Sequence, residues 1–303
     1  MPDTKIEGIV PILVTPFHDD GRIDEESLAN QVAFNIAGGV HGIGVANGSE
    51  LYKMNEAERD AVVRCVVEAA GGRVPVVVST GAAGTDLSIQ YSRAAKAAGA
   101  AAIMLMPPSF MPMRMEGTLA HYRAVAAAVD IPILLQDVPA ATVSPQLALK
   151  LAEECPTIRT IKVETFPLTV KVEAMVSGAG DKLTILGGAA GTYFIEEMRR
   201  GSRGTMPYAS RPDVFVKVWD LYQAGDRAGA RTLFDSTIMA INRLTAQTHD
   251  TQVRVHKQLL HRQGVIRSTH MRGPTTPPDA TTAIEIEELI AEQFPEARAF
   301  TTY

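Results

Sequence analysis

A lysine and a glutamate two residues apart form the pattern with the clearest chemical meaning in the sequence. Lys162 belongs to the mostly apolar run 158–163, and Glu164 follows that run directly. Residues i and i+2 of a strand face the same way, so the two side chains are predicted neighbours. Burial lowers the pKa of a lysine, and the neutral amine is the nucleophile that attacks a ketone. The spacing therefore predicts Schiff-base chemistry at Lys162, whereas an exposed surface ion pair is the alternative.

A short polar loop supplies the second candidate. Asn47, Gly48 and Ser49 combine amide and hydroxyl side chains with backbone N–H groups. Such a set can surround a carboxylate with several hydrogen bonds. An ordinary polar turn, which Glu50 would anchor by accepting backbone donors, is the alternative.

Short runs rich in valine and isoleucine alternate with amphipathic segments along the chain. The runs predict buried parallel strands and the segments predict helices, joined by right-handed crossovers. Eight such units in roughly 220 residues match a closed (β/α)8 TIM barrel, with an open doubly wound sheet as the alternative. No strong G-x-G-x-x-G motif follows the first run, which argues against dinucleotide binding. The predicted strands are 8–14, 42–46, 75–79, 101–106, 132–136, 158–163, 183–187 and 204–206.

Four further candidates lie at or just after the carboxyl ends of these runs, where barrels of this class carry their sites. Ser109 follows the fourth run and Gln136 ends the fifth. Gly187 ends the seventh run and Met206 ends the eighth. They are predicted to contact a substrate, although glycine at a strand-to-helix turn also has a purely geometric explanation.

The chain is predicted to form one structural domain in two parts. Residues 1–210 hold the barrel strands and most barrel helices, and residues 211–303 hold the last barrel helix and a C-terminal helical extension. The extension is expected to pack on the barrel or between subunits.

Composition narrows the classes of function. A net charge of −5 argues against a nucleic-acid partner, and no apolar stretch approaches the ~18 residues of a spanning helix. Cys65 and Cys155 lie far apart, so we expect reduced thiols and a cytoplasmic protein. Pro11 and Pro16 interrupt the first apolar run, so no secretory signal is predicted. The seven histidines form no recognisable ligand set, so neither a metal site nor a cofactor is predicted.

The order of these motifs resembles the dihydrodipicolinate synthase / N-acetylneuraminate lyase superfamily over nearly the whole chain. Residues 8–17 resemble that family's first strand, and residues 47–50 stand at its Gly-Ser/Thr-Thr-Gly-Glu loop. Gly99, Pro139 and Lys162 match a glycine before strand four, a proline after strand five and the Schiff-base lysine. The resemblance implies that Lys162 condenses with a small 2-keto acid such as pyruvate. It also implies a homo-oligomer, either a tetramer or a dimer.

The sequence departs from the family at three tyrosine or arginine positions. Residues 136–139 spell Gln-Asp-Val-Pro where relatives usually have Tyr-Asn-x-Pro. Ala141 replaces an arginine that synthases use for a second substrate's carboxylate, and Ser109 or Pro108 replaces a tyrosine near strand four. The combination of Ala-Asn-x-Ser-Glu, Gln-Asp-x-Pro and Lys-x-Glu-Thr is similar to 2-keto-3-deoxy sugar-acid dehydratases, above all those acting on 2-keto-3-deoxy-L-arabonate.

The resemblance therefore implies a Schiff-base lyase, first of all a dehydratase. In it Lys162 is the nucleophile, the 47–49 loop holds the substrate carboxylate, and Gln136 orients the substrate or a water. The acid–base group is Glu164, a water, or the substrate's own hydroxyls and carboxylate. The alternatives are a pyruvate-releasing aldolase, a dihydrodipicolinate synthase, a barrel that binds a keto acid without turnover, and a metal-dependent aldolase.

Overall fold

The computed structural model describes residues 5–111, 113–245 and 248–303. Within these ranges eight parallel strands alternate with helices, which confirms the (β/α)8 barrel and the helices that follow it. Each of the eight predicted runs overlaps one strand, and β5 extends one residue beyond its run, to Asp137. The strands are β1 (Gly8–Ile9), β2 (Ile43–Val45), β3 (Val76–Ser79), β4 (Ala102–Leu105), β5 (Ile133–Asp137), β6 (Ile158–Val163), β7 (Thr184–Gly187) and β8 (Gly204–Thr205).

The helices begin at the capping residues that the sequence provides. Asn55 and Glu58 cap the second helix reciprocally, and the Asp24 and Ser144 side chains accept N–H groups at the starts of the first and fifth helices. The helices are α1 (Glu25–Ala37), α2 (Glu56–Ala70), α3 (Thr85–Ala97), α4 (Met115–Ala128), α5 (Pro145–Glu154), α6 (Leu168–Ala179), α7 (Phe194–Arg199), α8 (Pro212–Gln223), α9 (Arg227–Leu233), α10 (Met239–Thr245), α11 (His249–Arg262) and α12 (Ala280–Gln293).

The first strand is shorter than predicted. Hydrogen bonding runs in the order β1-β8-β7-β6-β5-β4-β3-β2, and regular pairing of the predicted run 8–14 ends at Ile9. Pro11 lacks the N–H that a continued ladder needs. Beyond it Ile12 makes isolated parallel bridges to Gly44 and Tyr208 instead.

The chain divides into two compact units. One comprises the chain up to Val10 and Pro75–Pro207, and it contains every strand except β2. Its register sets Gln136 beside Lys162, Lys162 beside Leu186, and Gly187 beside Thr205. Neighbours in a parallel register share a face, so these pairs fix which side chains meet. The predicted division at residue 210, into 1–210 and 211–303, stays a prediction.

The other unit comprises Pro11–Val74 and Tyr208–Tyr303. Its helices α10, α11 and α12 share an apolar core. Among the described residues, no helix has both the length and the apolar character that crossing a bilayer requires. The core consists of Ile241, Val255, Leu259, Ile286, Leu289 and Ile290.

A buried ion pair ties α11 to the loop after β2. Lys257 Nζ lies 2.6 Å from Glu50 Oε2, and both side chains are fully buried. Lys257 also donates to the carbonyl oxygen of His270, and Lys53 Nζ lies 3.2 Å from Glu50 Oε1. Glu50 thus receives two lysine side chains, which corrects the expectation that it accepts backbone donors. Burial is the main cause that lowers the pKa of Lys257.

Replacing Lys257 by methionine is expected to lower the free energy of unfolding by about 3 to 5 kcal/mol, because it leaves a buried carboxylate without that partner. Chemical denaturation measures the change. Lys217→Met on the exposed face of α8 is the matched control and should lie within about 0.5 kcal/mol of the parent. A K257M variant as stable as that control would contradict the structural role of the pair.

Candidate active site

Lys162 lies inside the strand layer of its unit rather than at the surface. The residue is 5% exposed, and its Nζ is 2.9 Å from Glu164 Oε1. The two side chains face the same way, as the i, i+2 spacing predicted. This burial rules out the exposed surface pair that the sequence left open. The structure therefore presents an amine whose partner is a carboxylate able to take its proton.

Glu164 is held by three donors. Lys162 Nζ and the backbone N–H of Ala189 both approach Oε1, the latter at 3.1 Å. Gln136 Nε2 donates to Oε2, also at 3.1 Å. The Gln136 carbonyl oxygen is buried and has no hydrogen-bond partner among the described residues. Gln136 thus fixes Glu164 with one end of its amide and leaves an acceptor at the other end.

Asp137 fixes the backbone from which Glu164 projects. This residue ends β5 and is fully buried. Its Oδ2 accepts the backbone N–H groups of Glu164 and Thr165, at 3.3 and 3.1 Å. Its Oδ1 accepts from the backbone N–H of Val143 at 2.8 Å and from Lys171 Nζ at 2.6 Å. Sequence reasoning gave Asp137 no role, although an acid at the end of a buried strand was a signal.

Two glycines make room for two carboxyl groups where β7 ends. A Cβ on Gly188 would collide with the side chain of Glu164. A Cβ on Gly187 would collide with the carboxyl group of Glu197 on α7. Gly187 was predicted to contact substrate, and this contact stays a prediction. The observed reason for glycine at that position is the space that Glu197 occupies.

Glu197 is a buried acid that sequence reasoning missed. It is fully buried, and neither carboxylate oxygen has a hydrogen-bond partner among the described residues. Burial, then the charges of Glu196 and Glu164, raises the pKa of Glu197 to about 8. The signal was present in the helical period, because positions i, i+3 and i+4 share a face. That period puts Glu197 with the buried residues Phe194 and Met198.

The remaining candidates of this unit, Ser109 and Met206, differ in exposure. Ser109 is exposed in the segment after β4. Met206 is 1% exposed, and its backbone N–H donates to the carbonyl of Gly187 at 3.0 Å. Within the described part of the chain, no group of three or more histidine, cysteine or acidic side chains is arranged to hold a metal ion.

The polar loop belongs to the other unit, where Asn47–Ser49 form a 3-10 turn. Ser49 Oγ donates to the carbonyl of Leu13 at 2.5 Å and accepts the N–H of Ala46 at 3.1 Å. Thr15 Oγ1 donates to the carbonyl of Ser49 at 2.6 Å. The serine hydroxyl thus stabilises the loop. Asn47 is exposed, and its side chain remains the loop's accessible donor for the predicted carboxylate contact.

Comparison with known proteins agrees with this fold. The Dihydrodipicolinate synthetase family matches residues 5–293, and the chain belongs to that family. A 4-hydroxy-tetrahydrodipicolinate synthase of Sorangium cellulosum is 37% identical over 238 residues, which cover 76% of this chain and 78% of that protein. One from Pelobacter propionicus is 33% identical over 260 residues, covering 84% and 88%.

A solved structure shows the same architecture. YagE, a prophage protein of E. coli K12 from the dihydrodipicolinic acid synthase family, was solved in complex with pyruvate. It is 26% identical, with a TM-score of 0.88, and the match covers 96% of this chain and 99% of YagE. These likenesses support a lyase with lysine Schiff-base chemistry as the class of activity.

The raised pKa of Glu197 predicts how the free energy of unfolding changes with pH. Because the folded state raises the pKa of Glu197, the protonated side chain contributes fully to the free energy of unfolding below the unfolded-state pKa near 4.5. This contribution is lost as the pH rises through about 8. Between those limits the parent should lose about 1.4 kcal/mol per pH unit relative to Glu197→Gln. Urea denaturation across pH 4 to 9 measures the difference. Parallel curves for the two proteins would contradict the raised pKa.

Proposed function

We propose that this chain is a Schiff-base-forming lyase of small 2-keto acids, with Lys162 as the nucleophile. The observation that carries the proposal is the buried Lys162 Nζ, 2.9 Å from Glu164 Oε1, at the end of β6 in a barrel of this family. A carboxylate in contact with an ammonium can take its proton, and the resulting amine is the nucleophile that attacks a ketone. The pyruvate in the YagE complex supports a 2-keto acid as the ligand class.

The first chemical steps follow from these partners. Glu164 accepts a proton from the Lys162 ammonium, and the amine forms a bond to C2 of the keto acid. The former ketone oxygen takes a proton from the attacking nitrogen and becomes a hydroxyl. It leaves as water when Glu164 returns its proton, so a protonated C=N bond replaces the C=O bond. The protonated imine then draws electrons from C3 and makes its proton acidic. The free Gln136 carbonyl oxygen is placed to accept a hydrogen bond from substrate or water.

The next bond to break distinguishes two candidates. The relatives are named 4-hydroxy-tetrahydrodipicolinate synthases, and these names support the synthase alternative more than a dehydratase. One observation favours the dehydratase. Gln136 and the 8% exposed Ala141 leave the end of β5 without the tyrosine and arginine that the family resemblance assigns to synthases.

As a dehydratase, the enzyme would act on a 2-keto-3-deoxy sugar acid. The C3 proton goes to a base, the C4 hydroxyl leaves as water with a proton, and a C3=C4 double bond forms. Hydrolysis of the imine returns the Lys162 amine and releases the unsaturated keto acid. Where C5 carries a terminal hydroxyl group, movement of a hydrogen from C5 to C3 gives an enol that converts to a semialdehyde. Glu164 is the candidate base, because it is half-buried beside the reacting nitrogen.

Assembly and compartment are part of the proposal. Several large apolar side chains are exposed around the segment after β4, which favours burial by a second copy in a homo-oligomer. Both cysteines are free thiols, as in a protein of the reducing cytoplasm. The exposed side chains are Phe110 (82% exposed), Met111 (66%), Met113 (48%) and Met115 (50%).

Borohydride reduction in the presence of pyruvate tests the lysine. The parent protein should gain the mass of one reduced pyruvate adduct, and peptide mapping should place it on Lys162. Lys162→Met should gain none, whereas Lys150→Met on the exposed face of α5 should match the parent. An adduct on K162M at the parent's yield would contradict the proposal.

A screen of 2-keto-3-deoxy sugar acids tests the finer assignment. We expect a semialdehyde product without release of pyruvate, in the presence or absence of a chelator. Release of pyruvate would establish the aldolase, and 4-hydroxy-tetrahydrodipicolinate formed in a synthase assay would establish the synthase. An adduct without any product would leave a keto-acid-binding barrel, and loss of activity with the chelator would indicate a metal-dependent aldolase.

A further inference from the structure

Glu197 lies behind the Lys162 site, on the other face of the chain at the end of β7. The Cβ position of Gly188 points at the Glu164 side chain, and that of Gly187 points at the Glu197 carboxyl group. Consecutive residues of extended chain point to opposite faces. The Gly187–Gly188 backbone therefore lies between the two carboxyl groups.

Stability alone gives no reason for an acid at this position. Glu197 is fully buried, and both carboxylate oxygens lack hydrogen-bond partners among the described residues. A buried polar group without partners destabilises the folded state, and an apolar side chain of similar volume would avoid that cost. Phe194 and Met198 on the same face show that this layer otherwise takes apolar residues.

Of the charges that act on Glu197, the one that belongs to the Lys162 site is that of Glu164. Burial contributes most to its raised pKa, and the charges of Glu196 and Glu164 add to it. Three other charged groups on neighbouring segments have partners of their own. Arg200 of α7 lies 3.3 Å from Glu173 of α6, Lys171 of α6 lies 2.6 Å from Asp137, and Arg203 before β8 lies 3.5 Å from Glu7.

We infer that Glu197 is a positioning residue that acts through Glu164: from its place behind Gly187, it sets how protons are shared between Lys162 and Glu164. While Glu197 is neutral, Glu164 carries the single negative charge of the two acids and can exchange one proton with Lys162. When Glu197 ionises, its added charge makes both groups of the pair hold their protons more tightly. Less free amine is then present, and Glu164 becomes a weaker acid for the departing water. The role rests on the proposed function of Lys162.

The pH profile of imine trapping tests this role. Parent and Glu197→Gln should trap pyruvate at equal rates near pH 7, where Glu197 is neutral. Above pH 8 the parent's profile should flatten or fall while that of E197Q continues to rise, with a difference of about three- to tenfold at pH 9. Glu196→Gln is the matched control, since it removes the same charge one residue away on α7. The E196Q trapping profile should still flatten or fall at alkaline pH, with the midpoint of that change at slightly lower pH.

Two results would overturn the inference. One is an E197Q profile that superimposes on the parent's at every pH. The other is a folded E197Q that traps no pyruvate at any pH, because that result would make Glu197 a group in contact with the reactants. Should E197Q fail to fold, Glu197→Met carries the same test, since its side chain matches the apolar layer.

A second measurement separates this inference from the proposed function. Coupling between two sites is reciprocal, so Glu164→Gln should move the alkaline loss of stability caused by Glu197 to lower pH. Denaturation curves of the parent, E164Q, E197Q and the double variant over pH 5 to 9 give that shift without any substrate. A parent protein that traps no pyruvate contradicts the proposed lyase. If E164Q loses the stability linked to Glu197 at the same pH as the parent, only the coupling between Glu164 and Glu197 is contradicted.

Discussion

The contact between Lys162 Nζ and Glu164 Oε1 is the interaction on which the rest of the site depends. A lysine that is 5% exposed needs a partner for its charge or must give up its proton. Glu164 provides both possibilities from the same strand end at 2.9 Å. The groups around the pair act mainly on Glu164, because Gln136 and the N–H of Ala189 bind its carboxylate and Asp137 binds its backbone. The site is thus built to hold a carboxylate beside an amine.

That arrangement requires space for carboxyl groups where β7 ends. Positions 187 and 188 require glycine, because the Glu197 carboxyl group and the Glu164 side chain occupy the space that a Cβ would take at Gly187 and Gly188, respectively. One carboxyl group is bonded by three donors, and the other has no partner within the described residues. This contrast separates the two acids by environment, and such separation is how proteins give similar groups different proton affinities.

Much of the fold follows from sequence patterns that act locally. Buried parallel strands need continuous apolar runs, so all eight were predictable, as were the caps at Asp24, Asn55 and Ser144. The shared face of Lys162 and Glu164 was predictable for the same reason, since it depends only on the strand period. Pro11 shortened the first strand through its missing N–H, a local effect that the prediction overlooked.

The parts that escaped prediction depend on contacts between distant segments. Asp137 gains its role only when the turn after β6 and Lys171 of α6 come to it. The Ser49 hydroxyl, predicted to bind a carboxylate, bonds to Leu13 because residues 36 positions apart meet. Glu197 lay on a predictably buried helix face, but no local pattern shows that this face meets Gly187.

A crystal structure of the protein grown with pyruvate tests the central claim most directly. We expect continuous electron density from Lys162 Nζ to C2 of the keto acid, with Glu164 and the Gln136 carbonyl oxygen within hydrogen-bond distance of the adduct. Pyruvate bound elsewhere, with Lys162 still paired only to Glu164, would contradict it.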